Sequence, residues 1–261
     1  MGDSPYIKTE IDGALGFVTI DRPDSRGAMN RDMWLALPRA VASTAAHAEV
    51  RVLIVRGSGG HFISGADISE FEQLRSDPDL AARYDEGAEA TLSTLARLEV
   101  PSIAMIDGPC IGGGCLVASG CDLRVASERA RFGIPAGRLG LAYPYPALER
   151  LVALLGETVT LDLAVTGRVV DAREAQVLGF VQRFYDGAER IEAGTRELAA
   201  QIAANAPLAI RYLRMALRRS SRSQLEPDEI RRLAAQCFES EDYREGIAAF
   251  LAKRAPRFEG R

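Results

Sequence analysis

Three consecutive glycines, Gly112 to Gly114, stand where this chain could do chemistry with its backbone. They follow an apolar segment, Ser102 to Ile106, and a turn at Asp107-Gly108-Pro109, and they begin a run of small residues typical of a buried helix. Glycine allows a ligand to approach the backbone closely, and the first N–H groups of a helix have no partner within it. The pattern therefore predicts bare N–H groups at a site where a ligand develops negative charge.

A second glycine-rich segment, residues 57 to 68, follows another predicted strand, Arg51 to Arg56. If the two strands are neighbours in one sheet, one N–H from each loop can converge on a single oxygen atom, which is the geometry of an oxyanion hole. Neither segment has the Gly-Lys-Ser/Thr of a phosphate loop or a Gly-x-Gly-x-x-Gly run, so neither predicts nucleotide binding. Each segment alone is also explained by tight turns and close helix packing, and only their combination favours a site.

Composition narrows the class of protein. The chain has 261 residues, of which 47% are hydrophobic, and this is enough for a large folded core. The net charge is -4 and the basic residues form no long block, which argues against nucleic acid as a partner. No apolar run reaches the roughly 18 residues of a membrane span, and the first residues do not resemble a signal peptide. We therefore expect a cytoplasmic protein without a membrane partner.

The four cysteines and two histidines do not form a metal-binding pattern. Cys110, Cys115 and Cys121 lie close together in the sequence, but the chain has no Cys-x-x-Cys pair and no histidine near them. We therefore expect buried, reduced thiols and no metal.

Predicted strands and helices alternate along the first part of the chain, which indicates the α/β class. Strands are expected at Ala14 to Ile20, Arg51 to Arg56, Ser102 to Ile106 and Cys121 to Ala126, and helices at Arg31 to His47 and Leu80 to Leu98.

After Gly179 the pattern is helical only. We divide the chain into a core, residues 1–200, and a C-terminal helical region, residues 201–261, that packs on the core and on neighbouring subunits. Four arginines lie mainly on one side of the helix predicted at Pro207 to Ser220, and we expect a solvated face there rather than a phosphate site. These are Arg211, Arg214, Arg218 and Arg219.

In this order, and about fifty residues apart, the two glycine-rich segments resemble those of the crotonase (enoyl-CoA hydratase/isomerase) superfamily. Arg22 to Asn30 looks like the first CoA-lining loop of that family, and Leu163 to Gly167 is similar to its Val-Leu-Thr-Gly stretch. Glu239 to Gly246, followed by Phe250 to Arg254, is similar to its C-terminal signature. The resemblance covers nearly the whole chain.

The resemblance implies a spiral of ββα units, assembly as a homotrimer or a dimer of trimers, and an acyl-CoA substrate whose coenzyme A is the only cofactor involved. It also implies that the thioester oxygen is held by the N–H groups of Ala66 and Gly113. The other positions that match substrate- or CoA-binding residues of the family are Arg22, Ser25, Arg26, Ala28, Gly65, Asp67, Ile68, Gly112, Leu116, Ala136, Phe250 and Lys253.

The chain departs from the family at both positions that carry the catalytic glutamates of its hydratases, where it has Leu116 and Ala136. Adding water to an enoyl thioester needs a base for the water and an acid at Cα. Neither leucine nor alanine can exchange a proton. We therefore expect an atypical member of the family that lacks ordinary hydratase activity.

Two parts of the chain could supply a polar group in place of the missing glutamates. Tyr143 falls where methylmalonyl-CoA decarboxylases of the family keep a tyrosine, and it either orients a substrate carboxylate or lines an apolar pocket. The predicted helix with Tyr84, Asp85, Glu86 and Glu89 could supply the missing acid. We expect a lyase or isomerase that acts through a thioester enolate, and the reactions left open are decarboxylation, isomerisation and an atypical hydration. The alternative is a non-catalytic acyl-CoA carrier.

Overall fold

The structure, a computed structural model, describes residues 4–70, 78–220 and 227–261. The strands in these residues are β1 (Ile7–Asp12), β2 (Leu15–Ile20), β3 (Val52–Gly57), β4 (Ser102–Ile106), β5 (Pro109–Ile111), β6 (Leu123–Ser127), β7 (Arg131–Gly133), β8 (Val169–Asp171) and β9 (Arg183–Tyr185). They form a six-stranded sheet in the order β1-β2-β3-β4-β6-β9 and a three-stranded sheet in the order β5-β7-β8.

The helices of the same residues are α1 (Arg31–Ala45), α2 (Pro78–Arg97), α3 (Gly113–Gly120), α4 (Tyr145–Leu155), α5 (Glu157–Thr166), α6 (Ala172–Val177), α7 (Ala188–Ala203), α8 (Pro207–Ser220), α9 (Pro227–Glu239) and α10 (Glu241–Leu251). Short 3-10 segments occur at Pro23–Ser25, Ile68–Glu70 and Pro135–Leu139. Within the described ranges, no helix is both long and apolar enough to cross a membrane.

The large sheet is parallel except at its first edge, where β1 and β2 form an antiparallel hairpin. The central strands β3 and β4 are neighbours, with Leu53 opposite Ser102 and Arg56 opposite Met105. Val52–Val55 and all of β4 are buried, as expected for parallel strands that helices cover on both faces. The carboxyl ends of β3 and β4 therefore lie side by side, and a glycine-rich segment follows each of them.

Two apolar layers cover the sheet. On one face, side chains of α1 and α2 such as Met33, Leu37 and Leu95 pack in a core with strand residues such as Leu53 and Val55. On the other face, Phe17, Ile54 and Ile103 pack against Ile191 and Ala199 of α7. Helix α7 ends at Ala203, so it passes the predicted domain boundary at residue 200.

The predicted α/β class is confirmed. The four predicted strands correspond to β2, β3, β4 and β6, and the helices predicted at Arg31 to His47 and Leu80 to Leu98 correspond to α1 and α2, with ends within two residues. The helix predicted at Pro207 to Ser220 is α8. Helix α1 continues through Pro38, and its N-terminus is fixed by the side chain of Asn30, which accepts the Met33 N–H. Sequence reasoning missed β5, β7, β8 and β9, which have three residues each and are too short for alternation to reveal.

The expectation of a solvated arginine face on α8 is wrong for Arg214 and Arg218. Arg214 is only 7% exposed and donates to Oδ2 of Asp122 at 2.8 Å and to the Leu95 carbonyl at 2.6 Å. Arg218 donates to Oδ1 of Asp122 at 2.8 Å and to the Gly120 carbonyl at 2.6 Å. These guanidinium groups therefore join the C-terminal helices to the carboxyl ends of α2 and α3.

Arg214 and Arg218 turn inward because they neutralise the charge of the Asp122 carboxylate. Asp122 lies two residues after the end of α3, and its Oδ2 also accepts the backbone N–H and the hydroxyl of Ser102. Burial alone would raise the pKa of the Asp122 carboxyl, but the charges of Arg214 and Arg218 and the hydrogen bonds outweigh burial and lower the pKa. Of the other arginines, Arg211 pairs with Glu99, and the side chain of Arg219 lies outside the described part of the chain.

Replacing Asp122 with asparagine should lower the free energy of unfolding at pH 7 by about 3–5 kcal/mol, because the buried Arg214 and the half-buried Arg218 lose their counter-charge. The depressed pKa means that the carboxylate stabilises the fold above its ordinary pKa of 3.8 and that this stabilisation is lost as the pH falls through the folded value. Urea unfolding curves of wild type and Asp122→Asn should therefore stay apart between pH 7 and 3.8 and approach each other only as the pH is lowered further.

Asp228→Asn is the matched control, because Asp228 pairs with Arg231 on the surface. It should change stability by less than about 1 kcal/mol. A difference between wild type and Asp122→Asn that is equally large at both ends of the pH range would contradict this account of Asp122.

Candidate active site

The two glycine-rich segments lie side by side beyond the ends of β3 and β4. Ile63 and Cys110 form a parallel bridge, in which the Ile63 N–H donates to Pro109 at 2.9 Å and the Ile111 N–H donates to Ile63 at 3.0 Å. Ala66 follows Ile63 by three residues, and Gly113 follows Cys110 by three. The structure therefore brings the two predicted donors into adjacent, parallel segments.

The two segments are also in close contact, as the space around their glycines shows. A Cβ atom built on Gly113 would lie 3.9 Å from the carbonyl carbon of Gly65, which is the atom bonded to the Ala66 nitrogen. A Cβ on Gly65 would lie 3.4 Å from the carbonyl oxygen of Ile111. Backbone can come this close because the positions are glycines.

The peptide group that joins Gly65 and Ala66 is held on its carbonyl side. The Gly65 carbonyl accepts the Met29 N–H at 2.9 Å, and the Met29 carbonyl accepts the Asp67 N–H at 2.9 Å. In a trans peptide the C=O and N–H bonds point in opposite directions, so the Ala66 N–H points away from Met29. Among the described residues, this N–H has no hydrogen-bond partner.

The peptide group that joins Gly112 and Gly113 is held in the same way. The Gly112 carbonyl accepts the Leu116 N–H at 3.1 Å and the hydroxyl of Tyr143 at 2.9 Å. Gly112 has φ 52° and ψ -106°, a conformation that favours glycine. The Gly113 N–H is the first of α3, and no acceptor for it is found within the described ranges.

Trp34 forms a wall next to Gly113, and sequence reasoning missed it. A Cβ on Gly113 would lie only 2.8 Å from Cζ2 of Trp34, so glycine is needed here because the buried indole is close. Nε1 of Trp34 donates to the Tyr84 hydroxyl at 2.8 Å. A signal existed, since the single tryptophan of the chain lies on an apolar helix face directly after the predicted CoA loop.

Two predicted binding residues, Arg22 and Asp67, bind each other. Nη1 of Arg22 donates to Oδ2 of Asp67 at 2.7 Å and to the Ala28 carbonyl at 2.9 Å, while Oδ1 of Asp67 accepts the N–H and hydroxyl of Ser69. Burial would raise the pKa of the Asp67 carboxyl, but the hydrogen bonds from Ser69 and Arg22 lower it. Both residues therefore order the loops on either side of Ala66, and their contact with CoA stays a prediction.

The remaining predicted CoA positions lie at the surface or at its edge. Arg26 and Ile68 are exposed, Ser25 is half-buried, and Phe250 is 82% exposed near the end of α10. Arg26 and Lys253, both with φ 53°, are the non-glycine residues of the described chain that adopt left-handed backbone. Both residues lie at the C-terminal end of a helical segment, where left-handed backbone is common.

Neither position of a family glutamate can transfer a proton here, and of the three acids predicted on α2, Asp85 is half-buried. Leu116 is buried and Ala136 half-buried, and neither carries a polar side-chain atom. On α2, Glu86 and Glu89 are exposed, and Tyr84 is buried against Trp34. In the residues that the structure describes, no group of three or more His, Cys, Asp or Glu side chains could hold a metal ion.

Replacing Gly113 with alanine should disturb Trp34, because the new methyl group would stand 2.8 Å from the indole ring. We expect a changed fluorescence emission from this single tryptophan and a loss of about 1–3 kcal/mol in unfolding free energy. Gly137→Ala is the control, because a Cβ there would meet no heavy atom closer than 3.9 Å. An emission spectrum of Gly113→Ala identical to that of wild type would contradict the close packing.

Comparisons with known proteins agree on one family. A model of the enoyl-CoA hydratase/isomerase family matches residues 10–261. The 2,3-dehydroadipyl-CoA hydratase of Escherichia coli is 31% identical to this chain over 246 residues. The short-chain-enoyl-CoA hydratase of Clostridium acetobutylicum is 31% identical over 248 residues. Each match covers 94% of this chain and 94% of the relative. A solved structure of an enoyl-CoA hydratase/isomerase family protein from Hyphomonas neptunium is 36% identical and has a TM-score of 0.93, with 98% of both chains covered. The chain therefore belongs to the enoyl-CoA hydratase/isomerase family, the crotonase superfamily that its motifs resemble.

Proposed function

We propose that this chain binds an acyl-CoA thioester and stabilises negative charge on the thioester oxygen with the N–H groups of Ala66 and Gly113. One observation carries the proposal: neither N–H has a partner among the described residues, while the carbonyl oxygens of the same peptide groups are held by other parts of the chain. Relatives that act on CoA thioesters, the hydratases of 2,3-dehydroadipyl-CoA and of short-chain enoyl-CoA, support the substrate class.

The chemistry that such a pair of donors supports is the formation of an enolate. When a thioester becomes an enolate, its oxygen gains charge, so preorganised donors stabilise the transition state more than the ground state. Both donors are backbone amides, and their contribution therefore does not titrate near neutral pH. No cofactor other than the coenzyme A of the substrate is needed for this step.

The side chains near the donors favour an enolate that forms without a base at positions 116 and 136. Loss of CO2 from a 2-carboxyacyl-CoA is such a reaction, because the bond between Cα and the carboxylate carbon breaks and its electron pair becomes the enolate. Cα later takes a proton from water. Leu116 lies one turn into α3 and is 2% exposed, and an apolar surface destabilises a substrate carboxylate more than neutral CO2.

Self-association is the second part of the proposal, as a homotrimer or a dimer of trimers. The last three helices carry large exposed apolar side chains, with Phe250 82% and Leu251 75% exposed. An apolar groove of about 430 Å³ lies between α8, α9 and α10. Apolar surface of this extent is typical of a protein that buries it against another copy.

A panel of CoA thioesters tests the activity. The purified protein is incubated with crotonyl-CoA, a 3-enoyl-CoA and methylmalonyl-CoA, and each thioester is followed by absorbance or mass. We expect CO2 release from methylmalonyl-CoA and at most trace hydration of crotonyl-CoA, since Leu116 and Ala136 cannot transfer protons. Efficient hydration would contradict that inference. Binding without turnover would instead support an acyl-CoA carrier, and the absence of binding would contradict the proposed function as a whole.

Replacing Ala66 with proline removes one proposed donor, because proline has no backbone N–H. With the thioester that the wild type turns over, we expect kcat to fall by about 10²–10³-fold, the usual effect of losing one oxyanion-hole donor. Ala66→Ser keeps the N–H and is the matched control, with activity expected within a few-fold of wild type. A folded Ala66→Pro protein as active as Ala66→Ser would exclude the Ala66 N–H from catalysis.

A further inference from the structure

The hydroxyl of Tyr143 has a partner that the proposed function does not use. Tyr143 lies between the 3-10 segment Pro135–Leu139 and α4, and its hydroxyl donates to the Gly112 carbonyl at 2.9 Å. Burial raises the pKa of Tyr143 well above its usual value, so the hydroxyl keeps its proton near neutral pH and remains a donor. A hydroxyl has one proton, and this proton points at the backbone rather than at a ligand.

The Gly112 carbonyl belongs to the same peptide group as the Gly113 N–H. The described residues contain no cis peptide bond, so the C=O and N–H of this group lie in one plane and point in opposite directions. A group that holds the oxygen therefore also sets the direction of the N–H. A hydrogen bond to the carbonyl also polarises the amide and makes its N–H a stronger donor.

The backbone alone restrains this peptide group weakly. Gly112, Gly113 and Gly114 have no side chains, and glycine has access to more backbone conformations than other residues. Apart from Tyr143, the Gly112 oxygen accepts the Leu116 N–H at 3.1 Å, which is the first hydrogen bond of α3. The side chain that fixes this plane is thus Tyr143.

The other peptide group of the site provides a contrast. The Gly65 carbonyl accepts a main-chain donor, the Met29 N–H at 2.9 Å. No side-chain donor to the Gly65 oxygen is found in the described chain. A substitution at position 143 therefore changes the support of one donor and leaves the support of the Ala66 N–H in place.

We propose that Tyr143 is a positioning residue, whose hydroxyl holds the peptide group of Gly112 and Gly113 so that the Gly113 N–H points at the thioester oxygen and binds it more strongly. This inference rests on the proposed function and deepens it. Under this proposal Tyr143 acts on the substrate through the backbone, and it does not contact a substrate carboxylate directly.

Isotope-edited infrared spectroscopy tests the inference, because hydrogen bonds to a carbonyl oxygen lower its stretching frequency. The probe is crotonyl-CoA with ¹³C at the thioester carbonyl. Wild type should lower the frequency of the bound probe, and Tyr143→Phe should lower it by a smaller amount. In turnover of the thioester that the wild type processes, Tyr143→Phe should lose about tenfold in kcat with little change in KM, the effect of one ordinary hydrogen bond.

Tyr145→Phe is the matched control, since it is the same substitution two residues further on at a side chain that is 71% exposed. It should give the wild-type frequency and kcat. A second variant carries 3-fluorotyrosine at position 143, whose hydroxyl is a stronger donor on a ring of nearly the same size. This variant should lower the probe frequency further than wild type, whereas a residue that only packs would leave it unchanged.

The outcomes separate the two proposals. If wild type binds no probe or leaves its frequency unshifted, the proposed function fails. If wild type shifts the frequency and both variants at position 143 match it, the proposed function stands and the positioning role of Tyr143 is overturned. If Tyr143→Phe does not fold, the 3-fluorotyrosine form decides by the same criterion.

Discussion

Two peptide groups present their N–H side to the site because their carbonyl side is already occupied. The Gly65 oxygen is held by the Met29 N–H, and the Gly112 oxygen by the Leu116 N–H and the Tyr143 hydroxyl. A backbone N–H without a partner costs free energy when it is shielded from water. A fold can hold such groups only where other contacts over-determine the backbone, and the hydrogen bonds between neighbouring loops provide that here.

The sheet determines which of these loops are neighbours. Because β3 and β4 are adjacent and parallel, the chain leaves both at the same edge, and the bridge between Ile63 and Cys110 continues the pairing beyond the strands. The loop at residues 22–30 joins them through Met29, and α1 then brings Trp34 against Gly113. The candidate site is therefore assembled from segments that are far apart in the sequence, and its two donors are backbone groups whose direction the fold sets.

The sequence predicts those parts of this arrangement that depend on local patterns. Apolar runs predict β3 and β4, and the glycines that follow them predict close backbone approach, as found at Gly113. Contacts between distant segments could not be predicted in the same way. Helical periodicity places Arg214 on a charged face but does not reveal the half-buried Asp122 that it meets. The acceptor of the Tyr143 hydroxyl is a main-chain oxygen that no side-chain pattern marks.

The ion pairs of Asp122 have a consequence for how the protein is made. Strand β9 ends at Tyr185, so every strand of the large sheet is synthesised before the C-terminal helices. Asp122 receives its cations only when Arg214 and Arg218 have been synthesised, and a largely buried carboxylate without them is destabilised. The order of synthesis therefore places the neutralisation of Asp122 after the last strand of the large sheet.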